Sequence, residues 1–116
     1  MRIEKLENKY IDAVYSIRES KSFSELLSRS SESLVLLIRL LYKSGFRMPR
    51  KLGIEITKFL YTGESEHLFN AVEMMRSYAV RVKFPRVDFY LQTFVTEIDI
   101  TLKKERLAPR IEAQAL

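Results

Sequence analysis

The chain has 116 residues, which is long enough for one domain with a single core and too short for two. Hydrophobic residues make up 47% and charged residues 30%, which excludes a disordered chain, and the longest apolar run, residues 34–38, is far shorter than the roughly 20 residues that cross a bilayer. Without cysteine and with one histidine, the sequence excludes disulfides and an ordinary zinc site, so we expect no metal and no cofactor.

The first helix, residues 3–19, is predicted by an apolar stripe at spacings of three and four. The stripe consists of Ile3, Leu6, Tyr10, Val14 and Ile17. Because Glu4, Glu7 and Asp12 stand among these positions, the amino terminus has no hydrophobic signal core. We therefore expect a cytoplasmic protein that does not contact a membrane.

The second helix begins at Phe23, because Ser22 and Glu25 have the spacing of a capping box. Its residues 34–42 are apolar on nearly every side, since Val35, Leu36 and Leu40 add to its main apolar face. A helix of this kind is surrounded by other helices or lies in a subunit interface. The pattern predicts a homo-oligomer that assembles through this helix.

Gly45 predicts the left-handed end of the second helix, and Pro49 suits the first turn of the next. The third helix covers about residues 50–61 and has Gly53 in its interior. Residues 62–65 form the next turn.

The fourth helix is predicted by apolar spacing over residues 68–82 and stops before Pro85. A fifth helix follows over residues 91–102 and ends before Pro109. The sequence thus predicts one domain over residues 1–108 and a flexible tail over residues 109–116.

Residues 80–84 and 98–102 alternate apolar and polar side chains, which is the period of a half-buried strand. They leave open an α+β fold with a carboxy-terminal β-hairpin. We favour an all-α antiparallel bundle of four to five helices, because the longer pattern over residues 68–82 is helical and the alternating pieces are short.

Two predicted connectors hold cations and no carboxylate: no Asp or Glu occurs in residues 33–54 or in residues 74–87. Connectors after the second and fourth helices of an antiparallel bundle lie at one end, so their cations can converge. Such a surface suits phosphates or an acidic protein partner, although solvated turns also carry charge. The candidate nucleic-acid-binding residues are Lys43, Arg47, Arg50, Lys51, Arg76, Arg81, Lys83 and Arg86.

Other polar and aromatic residues give no catalytic pattern. His67 is interpreted as a solvated surface histidine, and Glu97 and Asp99 are two apart, which on a helix directs them to different faces. Three tyrosines fall near the connectors: Tyr42, Tyr61 and Tyr78. Their rings either stack on nucleic-acid bases or pack in the core with the hydroxyl at the surface. We predict a protein without enzymatic activity.

Apolar spacing over two stretches carries a family resemblance: Phe23–Leu41 with Glu55, Ile56, Phe59, Leu60 and Gly63, then Leu68, Ala71, Met75, Arg76 and Tyr90–Ile98. This pattern resembles the four-helix-bundle proteins that include the 23S-intervening-sequence proteins and the accessory variability determinant of diversity-generating retroelements. The resemblance implies a positively charged oligomeric bundle that binds nucleic acid and a reverse transcriptase. The closing glycine-and-tryptophan signature of the accessory determinant is missing here.

Residues Arg76, Tyr78, Lys83, Phe84 and Pro85 are similar to the arginine-bearing helix and RYP-like turn of some HEPN domains. Their ribonuclease motif has a histidine four to six residues beyond the arginine, and none follows Arg76, so this resemblance implies a catalytically silent domain of the toxin-antitoxin kind. The small helical subunits of type III CRISPR complexes are a third similar group. We predict a small basic helical-bundle accessory protein that binds nucleic acid. The alternatives are a protein-interaction or oligomerisation module, a HEPN-like toxin-antitoxin protein and a CRISPR small subunit.

Overall fold

The structure, a computed structural model, describes residues 2–104 and contains helices and no strand within that range. The five helices are α1 (Ile3–Tyr15), α2 (Phe23–Lys43), α3 (Arg50–Thr62), α4 (Ser65–Ala79) and α5 (Val87–Leu102). A single 3-10 turn, Ser16–Glu19, continues α1. The all-α prediction is confirmed, and the β-hairpin alternative is wrong, because residues 98–102 belong to α5 and residues 80–84 to the turn before it. The predicted tail, residues 109–116, lies outside the described residues.

Helix α5 is the central element of the bundle. It packs against α4 on one side and against α1, α2 and the 3-10 turn on others, while α1 pairs with α2 and α3 with α4. Its buried residues include Tyr90, Phe94 and Ile98. The buried hydroxyl of Tyr10 donates a hydrogen bond to the carbonyl of Tyr90 at 2.7 Å, which ties α1 to α5 across the core.

The ends of α2 follow the local signals in the sequence. The Ser22 Oγ accepts a hydrogen bond from the Glu25 N–H at 3.1 Å, and the Glu25 carboxylate accepts one from the N–H of Lys21 at 2.7 Å, one residue before the expected donor. At the other end, Gly45 has a φ of 79°, and the N–H of Phe46 donates to the carbonyl of Leu41. Helix α2 therefore begins and ends where local sequence chemistry predicts.

Two connectors matter for the site. The first, residues 44–49, joins α2 to α3, and the second, residues 80–86, joins α4 to α5. The second connector ends at Arg86, which has a left-handed backbone with a φ of 66°. Residues other than glycine rarely adopt this backbone conformation, so we expect interactions of the Arg86 side chain to stabilise the turn. These interactions are described below.

Candidate nucleic-acid interface

The structure brings the two connectors together at one place. The Phe46 ring, from the first connector, meets the Phe84 ring, from the second, edge-on with centroids 5.8 Å apart and planes at 89°. An edge-to-face contact of this kind is a favourable aromatic pairing. The cations that flank these two rings in the sequence are thereby placed on neighbouring surfaces.

Between the connectors lies an open depression of ≈ 540 Å³, which we call the connector groove. Its lining includes Phe46, Arg47, Tyr78, Arg81, Lys83 and Phe84. Of the eight cations predicted to bind nucleic acid, the structure thus brings three into this groove: Arg47, Arg81 and Lys83. All three are exposed.

The groove cations have no acidic counterpart in the part of the chain that the structure describes. No carboxylate in residues 2–104 lies within ion-pair distance of Arg47, Arg81 or Lys83. The Arg81 guanidinium lies 5.5 Å from the centroid of the Tyr78 ring and donates to the Ser77 hydroxyl at 3.3 Å. These contacts orient Arg81 without neutralising it, so its charge stays available to an anion.

Arg50 and Lys51 lie in the first turn of α3, directly after Pro49, which also lines the groove. Both side chains are exposed, and no described carboxylate pairs with either. Lys43 lies instead in the last turn of α2 and lines a separate depression with Leu6 and Arg39. The first two cations extend the groove, and Lys43 does not line it.

Arg76 and Arg86 differ from the groove cations because each pairs with a carboxylate at the protein surface, and their assignment to the nucleic-acid-binding set stays a prediction. Arg76 donates to both oxygens of Asp99 at 2.7 and 3.0 Å and to Glu73 at 3.3 Å. The hydrogen bonds to Asp99 raise the pKa of Arg76. A cation compensated by two carboxylates adds little positive potential at the surface.

Arg86 is compensated by a carboxylate of α1. Its Nε donates to Glu7 at 2.8 Å, and the hydroxyl of Tyr90 donates to the same carboxylate oxygen. The hydrogen bond from Tyr90, with Arg86 nearby, lowers the pKa of Glu7. The Arg86 guanidinium also lies 5.2 Å from the centre of the Phe89 ring. The side chain fixes the left-handed turn at the start of α5 and does not line the groove.

His67 is not the solvated histidine that the sequence suggested. It is partly buried, and its Nδ1 lies 2.8 Å from an oxygen of Glu55 on α3. The hydrogen bond from His67 lowers the pKa of Glu55, and Asn70 contacts the same oxygen at 3.4 Å. The three side chains tie α3 to α4. No pattern within one helix signals a contact between residues 12 apart on two helices.

Glu97 and Asp99 point to different faces of α5, as predicted. Glu97 is buried and pairs with Arg18, while Asp99 pairs with Arg76. Within residues 2–104, no group of three or more His, Asp or Glu side chains has the arrangement of a metal site.

The prediction that Tyr61 lies near the basic connectors is wrong. Tyr61 lies at the carboxy-terminal end of α3, away from the connector that precedes that helix.

The prediction that α2 self-associates through its apolar residues 34–42 needs one correction. Leu40 is fully buried in the core of its own chain, so it is not free to form an interface, and Leu36 is partly buried. Val35 is exposed. Most of the excess apolar surface of α2 is thus covered by the other helices, and self-association stays a prediction that rests on a smaller exposed patch.

Residues 2–104 thus form an all-α bundle in which Arg47, Arg81 and Lys83 meet no described carboxylate at the place where two connectors come together. No helix within residues 2–104 is both long and apolar enough to span a membrane. No protein-family model, curated protein or solved structure matches this chain.

Proposed function

We propose that this protein is a non-enzymatic accessory protein that binds nucleic acid through its phosphates. The connector groove and the first turn of α3 supply the contacts, through Arg47, Arg50, Lys51, Arg81 and Lys83. The observation that carries the proposal is the division of the cations into two groups. Arg76 and Arg86 pair with carboxylates, whereas cations from both connectors share one groove that no described carboxylate enters.

The position of Arg50 and Lys51 supports a functional role for their charge. The first turn of a helix carries unpaired N–H groups and a partial positive charge, so cations there cost stability and acidic residues are favoured. Helix α3 has no acidic residue in its first turn and no side-chain cap on its first N–H groups. Two lysine or arginine side chains at this position are better explained by an anionic partner than by the stability of the helix.

The mechanism is neutralisation of phosphates without reading of bases, so binding is independent of sequence. Six cations of the predicted set remain once Arg76 and Arg86 are set aside, because Lys43, which lines a neighbouring depression, joins the five named above. If about six phosphates are neutralised, the logarithm of affinity falls against the logarithm of salt concentration with a slope of about −5 on duplex and about −4 on single strands. A flat salt dependence would remove phosphate contacts from the mechanism.

The test compares two triple variants that lose the same charge. In the first, Arg47, Arg81 and Lys83 are replaced by Gln. In the control, Lys5, Lys9 and Lys21, which are exposed and do not line the groove, are replaced by Gln. A shift assay with mixed-sequence RNA and DNA should show weak binding and a slope flatter by about 2 for the groove variant, and near-normal binding for the control. Equal loss in both variants would mean that net charge alone binds the nucleic acid.

As an accessory protein, it acts on nucleic acid together with a processing enzyme. The resemblance to the accessory determinants of retroelements makes a reverse transcriptase the first partner to try. Co-purification of the two proteins, with and without nuclease treatment, checks this association. A complex that survives nuclease digestion indicates a direct protein contact, and one that dissociates indicates tethering by nucleic acid.

A further inference from the structure

The connector groove has two neighbouring depressions. It shares Phe46 and Arg47 with a second depression of ≈ 420 Å³, which runs along the end of α2. The second depression shares Ile38 and Tyr42 with a third, of ≈ 430 Å³, which reaches Leu6 on α1. Because each depression shares two lining residues with the next, the three are neighbours on the surface, and we call them together the track.

Aromatic rings and cations follow one another along the track. Phe84, with Arg81 and Lys83, lies at one end, Phe46 and Arg47 lie where the first two depressions meet, and Tyr42, with Arg39 and Lys43, lies at the other end. No described carboxylate lines any of the three depressions. The lining of the track thus combines aromatic and aliphatic side chains with cations.

Two of the rings leave much of their surface in water. Tyr42 is 84% exposed and Phe84 is 44% exposed. The Phe84 ring contacts the Phe46 ring, but the Tyr42 side chain makes no hydrogen bond and no ring contact with the other described residues. Exposed aromatic rings beside unpaired cations are the combination that single-stranded nucleic acid requires, because each base can stack on a ring while the backbone follows the charges.

We infer that the track binds single-stranded nucleic acid in preference to duplex, with bases stacked on Tyr42 and Phe84 and with phosphates held by the cations beside them. This inference rests on the proposed function and names its substrate class. In a duplex the faces of the bases are stacked on one another, so the rings gain nothing from it and only the cations bind. An unpaired strand satisfies both parts of the surface.

The experiment measures fluorescence anisotropy of labelled oligothymidylate and oligouridylate, and of a mixed-sequence duplex of the same length, over the same series of salt concentrations. The key comparison is Tyr42→Leu against Tyr61→Leu. Both tyrosines are exposed near the carboxy-terminal end of a helix, at 84% and 87%, but Tyr61 does not line the track. Phe84→Leu, which keeps an apolar side chain against Phe46, is the second test variant.

We expect the wild-type protein to bind the single strands at least tenfold more tightly than the duplex. Tyr42→Leu and Phe84→Leu should each weaken single-strand binding about tenfold, the effect of one lost stacking contact, and leave duplex binding and the salt slope unchanged. Tyr61→Leu should bind as the wild type does. Circular dichroism and the Tm confirm that each variant is folded.

Two results would overturn the inference and leave the proposed function intact: salt-dependent binding that is equal for single strands and duplex, or ring variants that bind single strands as tightly as the wild type does. A third result, no binding of either form at low salt, overturns the inference and the proposed function together. The salt dependence of the wild-type protein therefore distinguishes the two failures.

Discussion

Arg18 and Glu97 lie 79 positions apart in the chain and form a two-pronged ion pair at 2.6 and 2.8 Å. The pair joins the 3-10 turn after α1 to the last third of α5. The Glu97 side chain is 2% exposed, whereas that of Arg18 is 50% exposed, so Arg18 covers a carboxylate that faces the interior. The hydrogen bonds to Glu97 raise the pKa of Arg18.

Removal of Arg18 should therefore cost more than removal of the whole pair. Arg18→Met leaves the buried Glu97 carboxylate without its partner, and we expect the free energy of unfolding to fall. The double variant Arg18→Met with Glu97→Met should recover most of that loss, because no buried charge remains. Urea unfolding of the three proteins measures both values. A double variant as unstable as Arg18→Met would show that the loss does not come from the stranded charge.

Neutralisation of Lys83 should change nucleic-acid binding, whereas neutralisation of Arg76 should change stability. Lys83→Gln removes a groove cation that no described carboxylate contacts, so the salt slope should flatten by slightly less than 1 while the Tm stays the same. Arg76→Gln removes the partner of Asp99, so the free energy of unfolding should fall by about 0.5 kcal/mol. The loss is small because the ion pair is exposed to solvent. Nucleic-acid affinity should stay the same. Titrations in two salt concentrations and thermal melts check the pair. Equal effects of the two variants on affinity would return Arg76 to the binding surface.

The Glu55 contact with His67 should contribute to the acid sensitivity of the fold. The hydrogen bond from His67 lowers the pKa of Glu55 in the folded state, so the stabilisation is present above the ordinary glutamate pKa, about 4.3, and disappears as the pH falls through the lower, folded value. Glu55→Gln should therefore lower the Tm at neutral pH, and its difference from the wild type should shrink below about pH 4. Thermal melts from pH 3 to pH 7 measure that difference. The control is Glu66→Gln, at an exposed position without a described partner, and a parallel shift at every pH would contradict the assignment.

The same substitution at two glycines should change stability in opposite directions. Gly53 is in the interior of α3, and an added Cβ would meet only the sulfur of Met48 at 3.6 Å, so Gly53→Ala should stabilise the protein by about 0.5–1 kcal/mol. Gly45 has a φ of 79°, so Gly45→Ala should destabilise it by about 1 kcal/mol. Denaturant unfolding compares the two. A stable Gly45→Ala protein would mean that the connector adopts another turn.

Self-association through α2 should depend on its exposed face. If the predicted oligomer forms there, Val35→Lys should yield a smaller species, because a charge at that position opposes an apolar contact. Ile100→Lys, at a similarly exposed position on α5, is the matched control and should leave the mass unchanged. Size exclusion with light scattering gives the masses. An oligomer that persists in the Val35 variant would place the interface on another helix.

Local chemistry explains how much of the fold the sequence predicted. The capping box at Ser22 and the left-handed Gly45 mark the two ends of α2, because each signal acts within one turn of the chain. The apolar spacing predicts a start of α5 at residue 91, which is four residues late, since Val87 begins the helix behind an arginine in a left-handed conformation. That conformation depends on Glu7, which lies 79 positions away and gives no local signal.

The sequence by itself determined that the fold is helical and that two stretches carry cations without carboxylates, because periodicity and composition are properties of neighbouring residues. The tertiary structure decided which of those cations pair with a described carboxylate. Arg76 and Arg86 look like the others in the sequence, yet each meets a distant carboxylate on another helix, while Arg47, Arg81 and Lys83 share one groove. Charge compensation depends on distance in space, and only the packing of the helices sets that distance.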